Sequence, residues 1–128
     1  MTPLTIRKSA EDYLEAILIV QKTKGYVRSL DVSRQLGVSK PSVSAAVKQL
    51  MDGGFVAMED GKLLSLTESG NAIAERIYER HCVLKEILIT VGIDPQTAEE
   101  EACKIEHDIS SESFRLLKEY WQESGRAR

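Results

Sequence analysis

The stretch Ser29-Leu30-Asp31-Val32-Ser33-Arg34-Gln35-Leu36-Gly37-Val38-Ser39-Lys40-Pro41-Ser42-Val43-Ser44-Ala45-Ala46-Val47-Lys48-Gln49-Leu50 decides the fold. Leu30, Val32 and Leu36 offer the inner face of a short helix starting after Ser29, and Gly37 suits the left-handed residue that ends it. Ser39 is a good N-cap for a second helix. Pro41 is tolerated in its first turn because the missing N–H would be unpaired there anyway. Val43, Ala46, Val47 and Leu50 then form a buried stripe running to about Asp52-Gly53-Gly54. Two short helices around a tight glycine turn, the second opening with small hydroxyl residues, make a helix-turn-helix arrangement.

Upstream, Ser9 followed by Asp12 resembles a capping box, and Tyr13, Leu14, Ile17, Leu18 and Val20 recur at helical spacing until Lys24-Gly25. Downstream, residues 55–58 and 62–66 read as two strands around Asp60-Gly61, a β-hairpin wing. Thr67 to Gly70 cap a long helix that reaches about Thr90. Asp94-Pro95 opens another helix, and Ser110-Ser111 begins a last one with Phe114, Leu117 and Trp121 on one face. The chain is therefore expected to be mainly α. Residues 1–70 form a winged helix-turn-helix lobe with a two-stranded wing, and residues 71–128 form a helical lobe.

With 128 residues, 42% hydrophobic and 29% charged, the composition is that of a soluble globular protein. No apolar run approaches the roughly 18 residues that a membrane span needs, so a cytoplasmic location is expected. Cys82 and Cys103 are too few for a disulfide framework, and in a reducing compartment they are expected to be buried thiols or ligands. The net charge of −3 conceals a polarity along the chain. Residues 22–48 carry six basic side chains against Asp31 alone, whereas residues 66–128 hold eight basic and thirteen acidic ones. Such a division suits a protein that meets phosphate with one part and a cation with the other.

The cation would be met at Cys103-Lys104-Ile105-Glu106-His107. On a helix, positions three and four apart are neighbours, so a thiol, a carboxylate and an imidazole share one face. Asp12 and Glu15, three apart in the first helix, and His81 in the long middle helix are possible partners. Asp12, Glu15, His81, Cys103, Glu106 and His107 exceed what one tetrahedral zinc uses, so one six-coordinate ion or a bridged pair fits better. Carboxylates and imidazoles suit manganese and ferrous iron, and the thiolate shifts preference towards iron, cobalt or zinc. Without metal the acids repel one another. An ion would draw the first helix onto the others and link metal binding to DNA binding.

The phosphate partner would be double-stranded DNA. Ser39, Lys40, Ser42 and Ser44 give the second helix of the motif a slim N-terminal end, and the Pro41 ring can touch a thymine methyl. Arg28 and Lys48 add positive charge on the same lobe. No Arg, Asn or Gln stands in the first two turns, so sequence discrimination is expected to rest partly on DNA shape and on contacts repeated in each half of a dimer.

These residues together resemble the metal-dependent repressors typified by the diphtheria toxin repressor and the manganese transport regulator. The resemblance rests on residues 11–15, residues 37–44, Arg80-His81 and residues 103–107, and covers nearly the whole chain. It implies a winged helix-turn-helix lobe followed by a helical dimerisation lobe. The protein would act as a homodimer on a palindromic operator when metal is bound, repressing metal-uptake genes. Asp12 and Glu15 look like the manganese branch, Cys103 looks like the iron branch, and Glu106 and His107 fit both. His81 fits both too, but Lys85 stands where the iron branch's ancillary site uses an acid. The protein is also expected to lack the SH3-like domain of the longer iron regulators, as the short manganese-type members do. The balance favours Mn(II), then Fe(II), at one or two ions per subunit. Ala45 stands where some members have a base-reading glutamine.

Two other readings compete. One keeps the winged helix without metal, as a regulator responding to an organic ligand or a partner protein. The other, a dinuclear hydrolase, lacks an HExxH run, a glycine-rich phosphate loop and a paired nucleophile and base, so no catalytic residues are expected.

Overall fold

The structure is a computed structural model that describes residues 8–127, divided between Glu75 and Arg76 into two compact units. In the first unit, α1 (Lys8–Lys24), α2 (Ser29–Leu36) and α3 (Lys40–Asp52) precede strands β1 (Val56–Glu59) and β2 (Leu63–Leu66). The helix α4 (Glu68–Thr90) starts there and continues into the second unit, which also holds α5 (Pro95–Ile105) and α6 (Ser111–Glu123). The described residues thus form the winged helix-turn-helix and helical segments expected. No helix among them is long and apolar enough to cross a membrane.

Local chemistry explains most element ends. Gly37 closes α2 in the left-handed region, φ 69° and ψ 35°, and its N–H reaches the Ser33 carbonyl. Ser39 caps α3 by accepting a hydrogen bond from the Ser42 N–H, 3.3 Å away. Two expectations need correction. Ser9 lies inside α1 rather than at its cap, since Lys8 and Ala10 are good helix formers and carry the helix past it. Leu30 is 39% exposed although Val32 is fully buried. At about 100° per residue the two side chains lie on opposite faces, so they cannot both point inward.

In the first unit α1 packs on α2, α3 and β2. Leu14, Ile17, Val27, Val32, Val43, Val47, Val56 and Leu64 are among its buried side chains. Each such burial contributes about 1.5–3 kcal/mol. The strands pair antiparallel from Val56↔Leu66 to Glu59↔Leu63 around the tip residues Asp60, Gly61 and Lys62. Gly61 and Lys62 both take positive φ, 76° and 61°, which moves Lys62 out of the expected strand and into the turn. At the base of the wing, a Cβ on Gly70 would lie 2.0 Å from the Phe55 carbonyl oxygen, so α4 can pack this closely only on glycine.

The second unit buries Ile77, Leu84, Ala98, Ala102, Phe114 and Trp121. Asp94 caps α5 by accepting from the Thr97 N–H at 3.1 Å, and Ser110 caps α6 by accepting from the Ser113 N–H at 3.0 Å. Buried Arg80 donates from Nη1 to the Glu106 and Ile109 carbonyls and from Nη2 to the Ser111 hydroxyl. One guanidinium thus satisfies the loose carbonyls between α5 and α6.

Candidate metal centre and nucleic-acid face

The polar heart of the second unit is His81 on α4. Its Nδ1 lies 2.6 Å from Glu106 Oε1, and its Nε2 lies 2.8 Å from Glu99 Oε2. Burial by itself disfavours the charged ring, but the hydrogen bonds to Glu106 and Glu99 outweigh it and raise the imidazole from 6.5 to about 9. His81 is therefore an imidazolium at neutral pH when no ion replaces its proton.

The run from Cys103 to His107 does not lie wholly on a helix, as its spacing had predicted. α5 ends at Ile105 and Glu106 is its C-cap. Glu106 nevertheless keeps αR geometry, φ −57° and ψ −27°, and its N–H still reaches the Ala102 carbonyl at 2.9 Å. The helical spacing thus persists far enough for one donor atom each of Cys103, Glu106 and His107 to lie within 4.8 Å of the others. Glu106 is 0% exposed, and its Oε2 accepts no hydrogen bond from the described residues, with His107 Nε2 3.5 Å away. A fully buried carboxylate oxygen without a hydrogen-bond donor is costly in a dry interior, and a cation beside it removes that cost. This oxygen, with the thiol and imidazole nearby, is a donor set that fits a divalent ion.

Asp12 and Glu15 belong to the first unit. Both lie on α1, three residues apart and therefore on one face; Asp12 is half-buried and Glu15 is 5% exposed. Cys82 is exposed, which corrects the expectation of a buried thiol; Cys103 is half-buried. The position of Cys82 on α4, one residue past buried His81, turns it about 100° around the helix from that side chain.

Sequence reasoning missed Glu99. It bridges His81 to Lys85, whose Nζ lies 2.8 Å from Glu99 Oε1. The available signal was its place one helical turn before Cys103, but an exposed acid in the run Glu99-Glu100-Glu101 has the look of a solvated face.

Arg28, Ser39, Lys40, Pro41, Ser42, Ser44 and Lys48 are all exposed, while Val43, Val47 and Leu50 form the buried stripe of α3. The Ser39 and Ser42 hydroxyls are 2.9 Å apart, so the start of α3 presents a small, hydroxyl-lined end beside the Lys40 ammonium.

Residues 5–63 match the family described as iron dependent repressor, N-terminal DNA binding domain, and residues 67–125 match iron dependent repressor, metal binding and dimerisation domain. The chain belongs to the iron-dependent repressor family. This metal-dependent family consists of transcriptional regulators, not enzymes. Among its relatives, the transcriptional regulator MntR of Escherichia coli O6:H1 is 30% identical over 119 residues, covering 93% of this chain and 77% of that protein. The crystal structure of IdeR from T. acidophilum superposes with a TM-score of 0.78 at 28% identity, over 92% of this chain and 55% of that one. A manganese-dependent transcriptional repressor solved in complex with manganese gives 0.76 at 28% identity, over 92% and 53%. The chain thus spans about half the length of these two solved repressors.

Proposed function

We propose that this member of the iron-dependent repressor family is a homodimeric repressor of metal-uptake genes, activated by Mn(II) or by Fe(II). It would work in the cytoplasm on a palindromic operator. Residues 1–70 would serve as its DNA-binding domain and residues 71–128 as its metal-binding and dimerisation domain. The observation that carries this reading is the buried, undonated Oε2 of Glu106 amid the donor atoms of Cys103 and His107.

In this reading His81, Cys103, Glu106 and His107 hold one or two ions together with Asp12 and Glu15 of α1. The bound ion supplies positive charge that relieves the repulsion of these acids. Coupling follows from linkage, since whatever arrangement of α1 favours metal also favours DNA, and each ligand strengthens the other. The exposed α3 end, with Ser39, Lys40, Pro41, Ser42 and Ser44, enters the major groove, and Arg28 and Lys48 meet phosphates. The mixed donor set supports Mn(II) through its carboxylates and Fe(II) through its thiol. The solved relative named as manganese-dependent favours the former.

The test is a titration of the protein onto DNA from its own regulatory region with Mn(II), Fe(II), Co(II), Zn(II) or chelator, in reducing buffer. Tight binding with Mn(II) or Fe(II) and its loss with chelator are expected. Equal binding with chelator would end the metal reading. DNA binding unchanged by Glu106→Ala or His107→Ala would instead support a regulator that senses an organic ligand or a partner.

A further inference from the structure

An imidazole can give only one nitrogen to an ion, and the other keeps its hydrogen and needs an acceptor. His81 has a carboxylate at each nitrogen, and the two differ in what else they touch. Glu106, at Nδ1, is fully buried, and its other oxygen accepts no hydrogen bond from the described residues. Glu99, at Nε2, has a side chain 52% exposed, and Lys85 Nζ holds its other oxygen at 2.8 Å. The charge of Glu99 is therefore already matched, whereas the carboxylate on the buried side of the ring still has a second oxygen with no hydrogen-bond donor among the described residues.

We propose that Glu99, clamped by Lys85, is a positioning residue: it holds the Nε2–H of His81 and so presents Nδ1 to the ion. This rests on the reading of His81 and Glu106 as ligands. Glu99 stays outside the coordination sphere because Lys85 already supplies the cation at its second oxygen. Lys85, Glu99, His81 and Glu106 form an unbroken chain from the surface to the buried donors, with each contact at 2.8 Å or less. Losing an acceptor of this kind weakens metal binding by roughly 10-fold to 100-fold.

The experiment uses the full chain with ¹⁵N-labelled histidine and ¹¹³Cd(II) as the probe ion, and measures Mn(II) affinity by calorimetry. In the wild type, a one-bond cadmium coupling to Nδ1 of His81 is expected, with the Nε2 proton retained. Glu99→Ala should weaken Cd(II) and Mn(II) binding by roughly 10-fold or more and mix the two ring tautomers. Glu99→Gln keeps an acceptor oxygen and should restore the Nδ1 coupling and most of the affinity. Lys85→Met should fall between them. The urea midpoint should fall only modestly, by the share of the His81 imidazolium's stabilisation that Glu99 supplies, because both side chains are substantially exposed and the rest of the unit's packing is untouched. Unchanged affinity and Nδ1 coupling in Glu99→Ala would overturn the positioning role alone, as would wild-type coupling through Nε2. No cadmium coupling to His81 in the wild type would overturn it together with the reading of His81 as a ligand, while a metal affinity lost in Glu106→Ala or His107→Ala would leave the metal reading standing.

Discussion

Arg80 Nη1 donates to the main-chain oxygen of Glu106 across 3.1 Å, so a buried cation on α4 fixes the residue that ends α5. The same guanidinium reaches the Ile109 carbonyl and the Ser111 hydroxyl, and stands 5.6 Å from the Phe114 ring centre. Replacing it with alanine leaves the buried Glu106 carbonyl unpaired, at about 1–3 kcal/mol, and removes a partner from the half-buried Ile109 carbonyl, while the exposed Ser111 hydroxyl can turn to water. Arg80→Ala should lower the urea midpoint sharply. Arg80→Lys should recover only part of the loss, because an ammonium cannot reproduce the fork. A midpoint within error of the wild type in Arg80→Ala would refute this.

Gly70 and Phe55 give a second test. Gly70→Ala places a methyl 2.0 Å from a backbone oxygen, and relief requires α4 or the wing to move. A loss of about 1–3 kcal/mol is expected in chemical denaturation. Gly53→Ala meets the Phe55 ring at 3.0 Å and the Gln49 carbonyl oxygen at an ordinary 3.4 Å, and should cost less because the close neighbour is a side chain that can turn. The reverse order would show that the wing base is not packed as described.

His81 predicts how stability changes with pH in metal-free protein. Its folded value of about 9 lies above the ordinary 6.5: burial works against the charged ring, and the hydrogen bonds to Glu106 and Glu99 overcome it. The raised value means that the imidazolium contributes stability fully below pH 6.5. That contribution is lost as pH rises through about 9. Unfolding free energies measured from pH 6 to pH 10 should therefore decline over this window. A His81→Gln variant should show a shallower decline, and an identical slope in the variant would assign the pH effect to other groups.

Cys103 sets the balance between ions. Cys103→Glu exchanges a soft thiolate for a hard carboxylate and should strengthen Mn(II)-dependent DNA binding while weakening the response to Co(II). Fluorescence anisotropy on labelled DNA with each metal measures both. If neither response changes, the thiol is not a ligand.

Lys40 and Lys48 should act through phosphate. Removing either ammonium is expected to weaken binding to all sequences alike and to reduce the salt slope of the affinity by about 1. Lys40→Ala and Lys48→Ala titrated over a range of salt concentrations would show it. A changed sequence preference with an unchanged slope would instead point to base contact.

What the sequence by itself determined is whatever neighbouring residues settle among themselves. Gly37 ends α2, Ser39, Asp94 and Ser110 cap their helices, and the Asp60-Gly61 turn makes the wing, because each of these bonds spans only a few residues. The clustering of Cys103, Glu106 and His107 was legible for the same reason, helical spacing surviving the end of α5. The tertiary structure decided what depends on packing between distant segments. Arg80 serves carbonyls 26 and 29 residues away, and His81 stands between Glu99 and Glu106. Leu30 and Cys82 turn outward although their residue types favour burial. A pattern along one strand of sequence carries the period of a helix, but which face meets a neighbour, and which acid meets a given imidazole, is set only when the helices pack.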